Sequence, residues 1–437
     1  MTGRALRIEL LRSAAPAASI GVLAGGGLTL YSMAGDWAGW VGRWMPFAAS
    51  VRMSLFVIGA ITVACAAWQG GREHRRRIGD QLASTARPQW QPVLVGWAGV
   101  TLGATAALAL LVAIGAALVA PVATYAGGGW WWVLAVSIPG LAALSALGFA
   151  AGRLVPFRLT APVVGIGTYL LMVGAIDTST LGGVRWLAPV LSQYDAPGYM
   201  LSGTLSALQT LWFAGLTATA LVVVAARRRW LAFVPAAVAV AAGSALMVEP
   251  VETWQPDPAA AERVCADDAP NVCVSRLNSF TLDEVAAAVQ PVMERWENIP
   301  GPPPRTEDNV MQMVGHAIRG YVERPDDAVL EVDFHSGMTL TGRIAEPYDG
   351  MSLFSWWPDV GCVDDSAFER HQLVFEVTAA WGSGTPAWAW PGADRLAALE
   401  QLEAMPIDAQ REWFAAAIEA ARACNEPELE RLAEAVG

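Results

Sequence analysis

The sequence predicts a polytopic α-helical membrane domain of about seven transmembrane helices (residues 1–250), followed by an α-rich α+β extracytoplasmic domain (251–437). Three observations carry this. Seven apolar runs of roughly bilayer-spanning length lie before residue 250. The charge changes abruptly there: residues 1–250 hold 16 Arg and 7 acids, a net of +9, whereas 251–437 hold 12 Arg and 33 acids, a net of −21. Finally, the arginines between the runs gather on alternate connections. At 54% hydrophobic and 16% charged residues, the whole is too apolar for a soluble protein of this length.

Residues 2–13 read as a short basic amphipathic helix, with Leu6, Ile8 and Leu10 able to dip into the membrane interface. Joined to the apolar run behind it, the segment imitates a signal peptide; the series of later runs favours an uncleaved first span. The runs fall at about 14–34, 53–69, 92–120, 130–152, 159–177, 204–226 and 230–248. Assigning them alternate sides places 13 of the 16 arginines of this half inside and only Arg43, Arg52 and Arg185 outside. Basic residues next to a span are retained in the cytoplasm. The expectation is therefore a multi-pass protein of the plasma (cytoplasmic) membrane, N-terminus inside and C-terminal domain outside.

Trp37, Trp40 and Trp44, at helical spacing in the first outer connection, suit a helix lying in the interface. Trp130, Trp131 and Trp132 suit an aromatic belt at the start of the fourth span. Small residues such as Gly103, Gly115, Gly140, Gly148 and Gly152 permit close helix packing in lipid, a structural role. Pro139 is placed to kink the fourth span. The outer stretch 179–203 is longer than a minimal turn. Ionisable residues inside the runs are nearly absent, Asp177 coming nearest, which disfavours a proton- or ion-coupled carrier.

The longest strongly polar segment of the first half is 70–91, with five arginines (Arg72, Arg75, Arg76, Arg77, Arg87) against Glu73 and Asp80. Taken by charge alone it is a basic cytoplasmic flank. Its order, Glu73, Arg75, Arg76, Arg77, Gly79, Leu82, Ser84, Thr85 and Trp90, resembles the cytoplasmic loop after the second span in membrane (permease) subunits of type-2 ABC exporters. Ala86 stands where that family usually has Pro, and Pro88 follows two residues later. The resemblance covers roughly the first 230 residues. It implies that the loop is a short helix docking on a separate ATPase subunit through Glu73, Arg75, Arg76, Arg77 and Leu82. It also implies a homodimer or a heterodimer with a second permease, and re-entrant helices in the stretch before the sixth span.

The chain contains no lysine. A phosphate-binding loop ending in Lys-Ser/Thr and a Schiff-base lysine are thereby excluded. Any ATP and magnesium belong to the partner subunit, and no cofactor is expected on this chain. The acidic second half argues against nucleic acid as a partner; the partners that the resemblance implies are the cytoplasmic ATPase subunit and a second permease, in a setting of membrane lipids.

In residues 251–437, Cys265, Cys273, Cys362 and Cys424 form an even set on the expected oxidising side, where two disulfides would form. Of the three possible pairings, Cys265–Cys273, a short loop, with Cys362–Cys424 is preferred. Cys65 reads as an apolar packing residue. Thr281 to Glu284 has the form of a capping box opening a helix to about residue 297. Further helices are expected at 307–320, 365–381, 393–404, 408–423 and 427–435, and a β-hairpin from 329–334 and 338–344 around His335-Ser336-Gly337. The sequence Glu-Arg-His-Gln-Leu-Val-Phe-Glu around His371 lacks the second histidine of a zinc-protease helix, and no Gly-x-Ser-x-Gly elbow occurs. With His316 and His335 as the other histidines here, no metal site or enzymatic activity is expected. The functional expectation that the resemblance implies is an exporter's membrane subunit moving a hydrophobic or amphipathic substrate outward. The alternative is a membrane-anchored sensor or assembly protein whose second domain binds a ligand or partner.

Overall fold

The computed structural model describes residues 2–33, 40–76, 88, 90–176, 182–191, 198–248, 253–269, 271–299, 305–319, 329–333, 352–355, 365–383 and 393–437. The chain divides into two compact units at Gln255/Pro256, with residues 122–125 belonging to the second.

The first unit is helical. In order come α1 (Thr2–Arg12), α2 (Ala15–Ser32), α3 (Trp44–Met53), α4 (Leu55–Gly70), the single turn α5 (Arg72–Arg76), α6 (Trp90–Val119), α7 (Trp130–Leu154), α8 (Thr160–Ile176), α9 (Gly203–Ala225) and α10 (Phe233–Met247). Among the described residues five helices are long and apolar enough to cross a membrane: Trp44–Gly70, Trp90–Val119, Trp130–Leu154, Gly203–Ala225 and Arg229–Met247. The α1–α2 pair, bent by 55°, makes a sixth when taken as one span. The bend falls where Pro16, in the first turn of α2, has no N–H to continue a helix backwards. The apolar α8, at 17 residues, is shorter.

The second span differs from the expectation of 53–69. It begins at Trp44, since α3 and α4 run on as one 27-residue span. Counting apolar residues stops at the charge of Arg52, whereas packing carries the helix through it: Phe47, Ala48 and Val51 are fully buried. The expected interface helix bearing three tryptophans is corrected accordingly. Trp40 is buried and donates its indole N–H to the Leu30 carbonyl at 3.1 Å, and Trp44 opens α3, stacked on Trp130 with ring centroids 4.5 Å apart. Trp37 lies outside the described residues.

The closest helix packing joins α4 to α7 and is made by glycine. A Cβ added at Gly148 would stand 2.5 Å from the Val63 carbonyl oxygen, and one at Gly152 closer still to that of Ala67. The two glycines are four residues apart on one face of α7, and Gly70 of α4 approaches the Phe149 carbonyl in the same seam. Backbones meet this closely in lipid only where side chains are missing.

Among the described residues the second unit holds two apolar clusters. One, around Trp381, Phe414, Leu402, Trp413 and Leu429, is enclosed by α13 (Asp365–Ser383), α14 (Ala393–Glu403), α15 (Ile407–Arg422) and α16 (Glu426–Val436). Its buried indoles are satisfied: Trp381 donates to Gln410 Oε1 at 2.7 Å and Trp413 to the Leu432 carbonyl at 3.1 Å. The other cluster packs Val285, Val289 and Val292 of α11 (Leu282–Arg295) against Val272, Val274 and Val332. Among the described residues its strands are the antiparallel pair β3 (Arg263–Cys265) and β4 (Cys273–Ser275), and a three-stranded sheet β5–β6–β7. In that sheet β5 (Arg305–Asp308) runs parallel to β6 (Val329–Asp333), and β7 (Ser352–Ser355) antiparallel to it. β1 (Tyr199–Leu201) pairs with β2 (Trp254–Pro256), which begins in the first unit with Trp254 and Gln255.

Two local expectations are corrected. Thr281 forms no capping bond, its hydroxyl donating instead to the Asn278 carbonyl at 2.7 Å. Residues 305–308 form β5, so the helix expected from 307 begins at Asn309 as α12 (Asn309–Arg319). Asp308 sets this boundary. Its Oδ1 accepts from the Met311 N–H at 3.0 Å, while Oδ2 accepts from the Ser275 N–H, the Ser275 hydroxyl and the Asn278 amide at 2.6–2.9 Å. The strand expected at 329–334 is β6; the hairpin partner 338–344 lies outside the described residues.

Candidate functional site

Of the five residues assigned to the polar loop, Glu73, Arg75 and Arg76 are described; Arg77 and Leu82 lie outside the described residues. The three share α5, which leaves α4 directly after the Gly70–Gly71 approach to α7. Glu73 is turned inward to Arg153 at the end of α7, Oε2 to Nη1 2.9 Å. Arg75 folds back over Trp68, its guanidinium carbon 4.0 Å from the ring centroid and its Nη2 donating to the Trp68 carbonyl. Desolvation against that ring, and then the neighbouring charge of Arg76, lower the Arg75 pKa. Arg76 and His74 are exposed.

Sequence reading missed the residues that fix this turn. Glu9 of α1 accepts both arms of Arg72, at 2.6 and 2.9 Å, and the Gln69 amide at 2.9 Å. Gln69 in turn accepts from the Ala14 N–H at 3.4 Å. A bidentate carboxylate–guanidinium pair of this kind sets orientation as well as attraction. α5 is thus tied to α1 through Glu9 and to α7 through Arg153. The available signal was scarcity: Glu9 and Glu73 are two of only 7 acids in 250 residues, each in a basic setting.

A second polar constellation overturns the expectation that the spans are free of charge. Arg52, assigned from the sequence to an outer connection, lies within the Trp44–Gly70 span and is completely buried. Its Nε donates to the Pro189 carbonyl and its Nη2 to Gln209 Oε1, both at 3.1 Å. Gln209 of α9, also fully buried, donates to the Trp186 carbonyl at 2.9 Å, and Trp212 donates to that of Leu187 at 2.9 Å. These carbonyls belong to the segment around the 3₁₀ helix Gly182–Leu187, where Trp186, Val190 and Leu191 are buried. Non-helical backbone inside an apolar bundle requires such partners. Where re-entrant helices were expected, the described part is this 3₁₀ turn, the bends that follow it to Leu191, and the short strand β1.

Cys265 and Cys273 are disulfide-bonded across directly opposed positions of β3 and β4. Cys424 is likewise disulfide-bonded, and Cys362, the partner expected for it, lies outside the described residues. Cys65 is a free thiol. Among the described residues no group of three or more His, Cys, Asp or Glu side chains is arranged to hold a metal; His316 is exposed, His335 lies outside the described residues, and only the backbone is described at His371.

The long apolar helices and their glycine seam define a polytopic helical membrane protein. Comparison with protein-family models, with curated proteins and with solved structures found no match to this chain.

Proposed function

We propose that this chain is the membrane subunit of an ABC exporter, moving a hydrophobic or amphipathic substrate outward under the drive of a separate ATPase chain. It would work as a homodimer or beside a second permease. In this reading the second unit is extracytoplasmic, α8 completes seven spans, and the turn α5 faces the cytoplasm. The observation that supports it best is the bracing of α5. A docking element must pass a partner's motion to the spans, and here it is clamped to α1 by Glu9–Arg72 and to α7 by Glu73–Arg153 while Arg76 points outward. The absence of lysine fits a chain whose ATP is bound elsewhere. The Cys265–Cys273 disulfide fits an oxidising compartment for the second unit.

The test is purification of a tagged copy from its native membrane, asking whether an ATPase subunit accompanies it. Arg76→Glu and Leu82→Asp should insert normally yet lose the ATPase. A desolvated unpaired charge at an interface costs about 3–5 kcal/mol, a hundredfold or more in affinity. Glu73→Lys should lose it as well, and pairing it with Arg153→Glu should restore it, because the exchange rebuilds the intrachain bridge. Wild-type ATPase recovery in Arg76→Glu and Leu82→Asp would reduce the segment to a basic flank and sink the exporter reading.

A further inference from the structure

We propose that Arg52 is the headgroup site of an anionic amphiphile, an acyl chain carrying a phosphate or carboxylate, held at mid-depth in the first unit. The proposal deepens the exporter reading by naming its substrate class, and rests on that reading only for the step of transport.

Arg52 stands eight residues beyond Trp44, so its Cα lies about 12 Å along the helix from the tryptophan pair at the span's end. That depth is far into a hydrocarbon core about 30 Å thick. Its side chain has no solvent exposure. An arginine so placed normally faces a carboxylate, but Arg52 pairs with no acid among the described residues, and its Nη1 finds no acceptor there. Both partners it has, a backbone carbonyl and the Gln209 amide oxygen, are neutral.

Holding up the Pro189 carbonyl does not account for a charge. A glutamine or a tryptophan donates to a carbonyl just as well, as Gln209 and Trp212 do to the neighbouring Trp186 and Leu187 carbonyls. What only arginine adds is a full positive charge with a vacant pair of donors. Uncompensated charge in a bilayer is costly and is retained where it does something. An anionic oxygen is a far stronger acceptor for guanidinium than an amide oxygen, and a planar phosphate or carboxylate edge suits its fork. The surroundings decide the rest of the ligand. Ala48, Ala49, Val51 and Leu55 on the same helix are buried and apolar, beside the small polar Ser50 and Ser54; at this depth in the hydrocarbon a free ion is costly, which points to an anion carried on an acyl chain.

The experiment uses the full chain in a neutral detergent, titrated with phosphatidylglycerol, phosphatidylcholine or inorganic phosphate, and counts bound lipid by native mass spectrometry. Wild type should prefer phosphatidylglycerol over phosphatidylcholine by roughly tenfold to a hundredfold, the worth of a charge-assisted contact. Arg52→Gln can still donate to Pro189 and should lose that preference while keeping its elution profile and melting curve. Arg52→Lys should retain part of it. An undiminished preference in Arg52→Gln would overturn the proposal, as would saturation by inorganic phosphate at the affinity of the lipid. If Arg52→Gln does not fold, Arg52→Lys decides: a folded protein whose preference is reduced to part of the wild-type value, or lost, supports the fork as the binding group, and an unaltered preference refutes it. The readout needs no ATPase. A chain that binds the lipid through Arg52 but recruits no ATPase keeps the site and loses the exporter; the reverse result removes only the site.

Discussion

Gly152→Ala is a small change with a sign that the structure decides. On an exposed helical face this substitution gains up to about 1 kcal/mol from helix propensity. At Gly152 the new methyl would meet only backbone of α4: the Ala67 carbonyl oxygen well inside contact distance, its carbon at 2.7 Å and its Cα at 2.9 Å. Nothing flexible is there to swing aside, so α4 and α7 must separate by roughly an ångström along a seam that also holds Gly148 against Val63 and Gly70 against Phe149. Overpacking of this kind costs about 1–3 kcal/mol. Two main chains in collision place it in the upper half of that range, and subtracting the propensity gain leaves a net loss of about 1–2 kcal/mol. The folded-to-unfolded ratio should fall about 5- to 30-fold. The assay is unfolding of the purified protein in detergent micelles against added denaturing detergent. Gly167→Ala in α8 is the control, since a Cβ there meets nothing within 4 Å; it should be neutral or stabilising by about 0.4–1 kcal/mol. If Gly152→Ala proves as stable as Gly167→Ala, the glycine seam is not what joins α4 to α7.

Three further outcomes are expected. Under the proposed orientation, a membrane-impermeant thiol reagent applied to intact cells should label a cysteine at the exposed Glu430 and not one at the exposed Arg76; the opposite pattern inverts the topology. Peptide mapping without reduction should recover Cys265 joined to Cys273 and Cys65 as a free thiol, and alkylation of Cys265 in the unreduced protein would contradict the pairing. Tyr125 donates to Asp257 Oδ2 at 2.6 Å, and burial, then that bond and the Asp257 charge, hold its pKa above the ordinary tyrosine value. Above about pH 10 the native state keeps a proton that the unfolded state has released, so this stabilisation is complete below that pH and is lost as pH rises past it. Tyr125→Phe should flatten the fall in stability expected between about pH 10 and pH 12 in denaturant titrations, and an unchanged slope would remove Tyr125 from its cause.

The sequence by itself determined the helical membrane domain, the basic turn after the second span and most helices of the acidic half. Those follow from local properties: apolar run length, arginine placement and 3.6-residue periodicity are written in consecutive residues. α13 through α16 begin and end within a residue or two of where periodicity puts them. What only tertiary structure decided are the pairings between distant residues. Glu9 looks like an ordinary charge on an amphipathic helix until Arg72, sixty-three positions away, closes on it. Arg52 looks like the end of an apolar run, because a charge in sequence reads as water; the folded chain instead supplies Pro189 and Gln209, 137 and 157 residues on, and the helix continues through it. Asp308 turned a helix start into a strand end in the same way, by collecting donors from Ser275 and Asn278. A polar group's fate depends on whether partners come to meet it inside, and that is settled by long-range packing, which run length and periodicity do not encode.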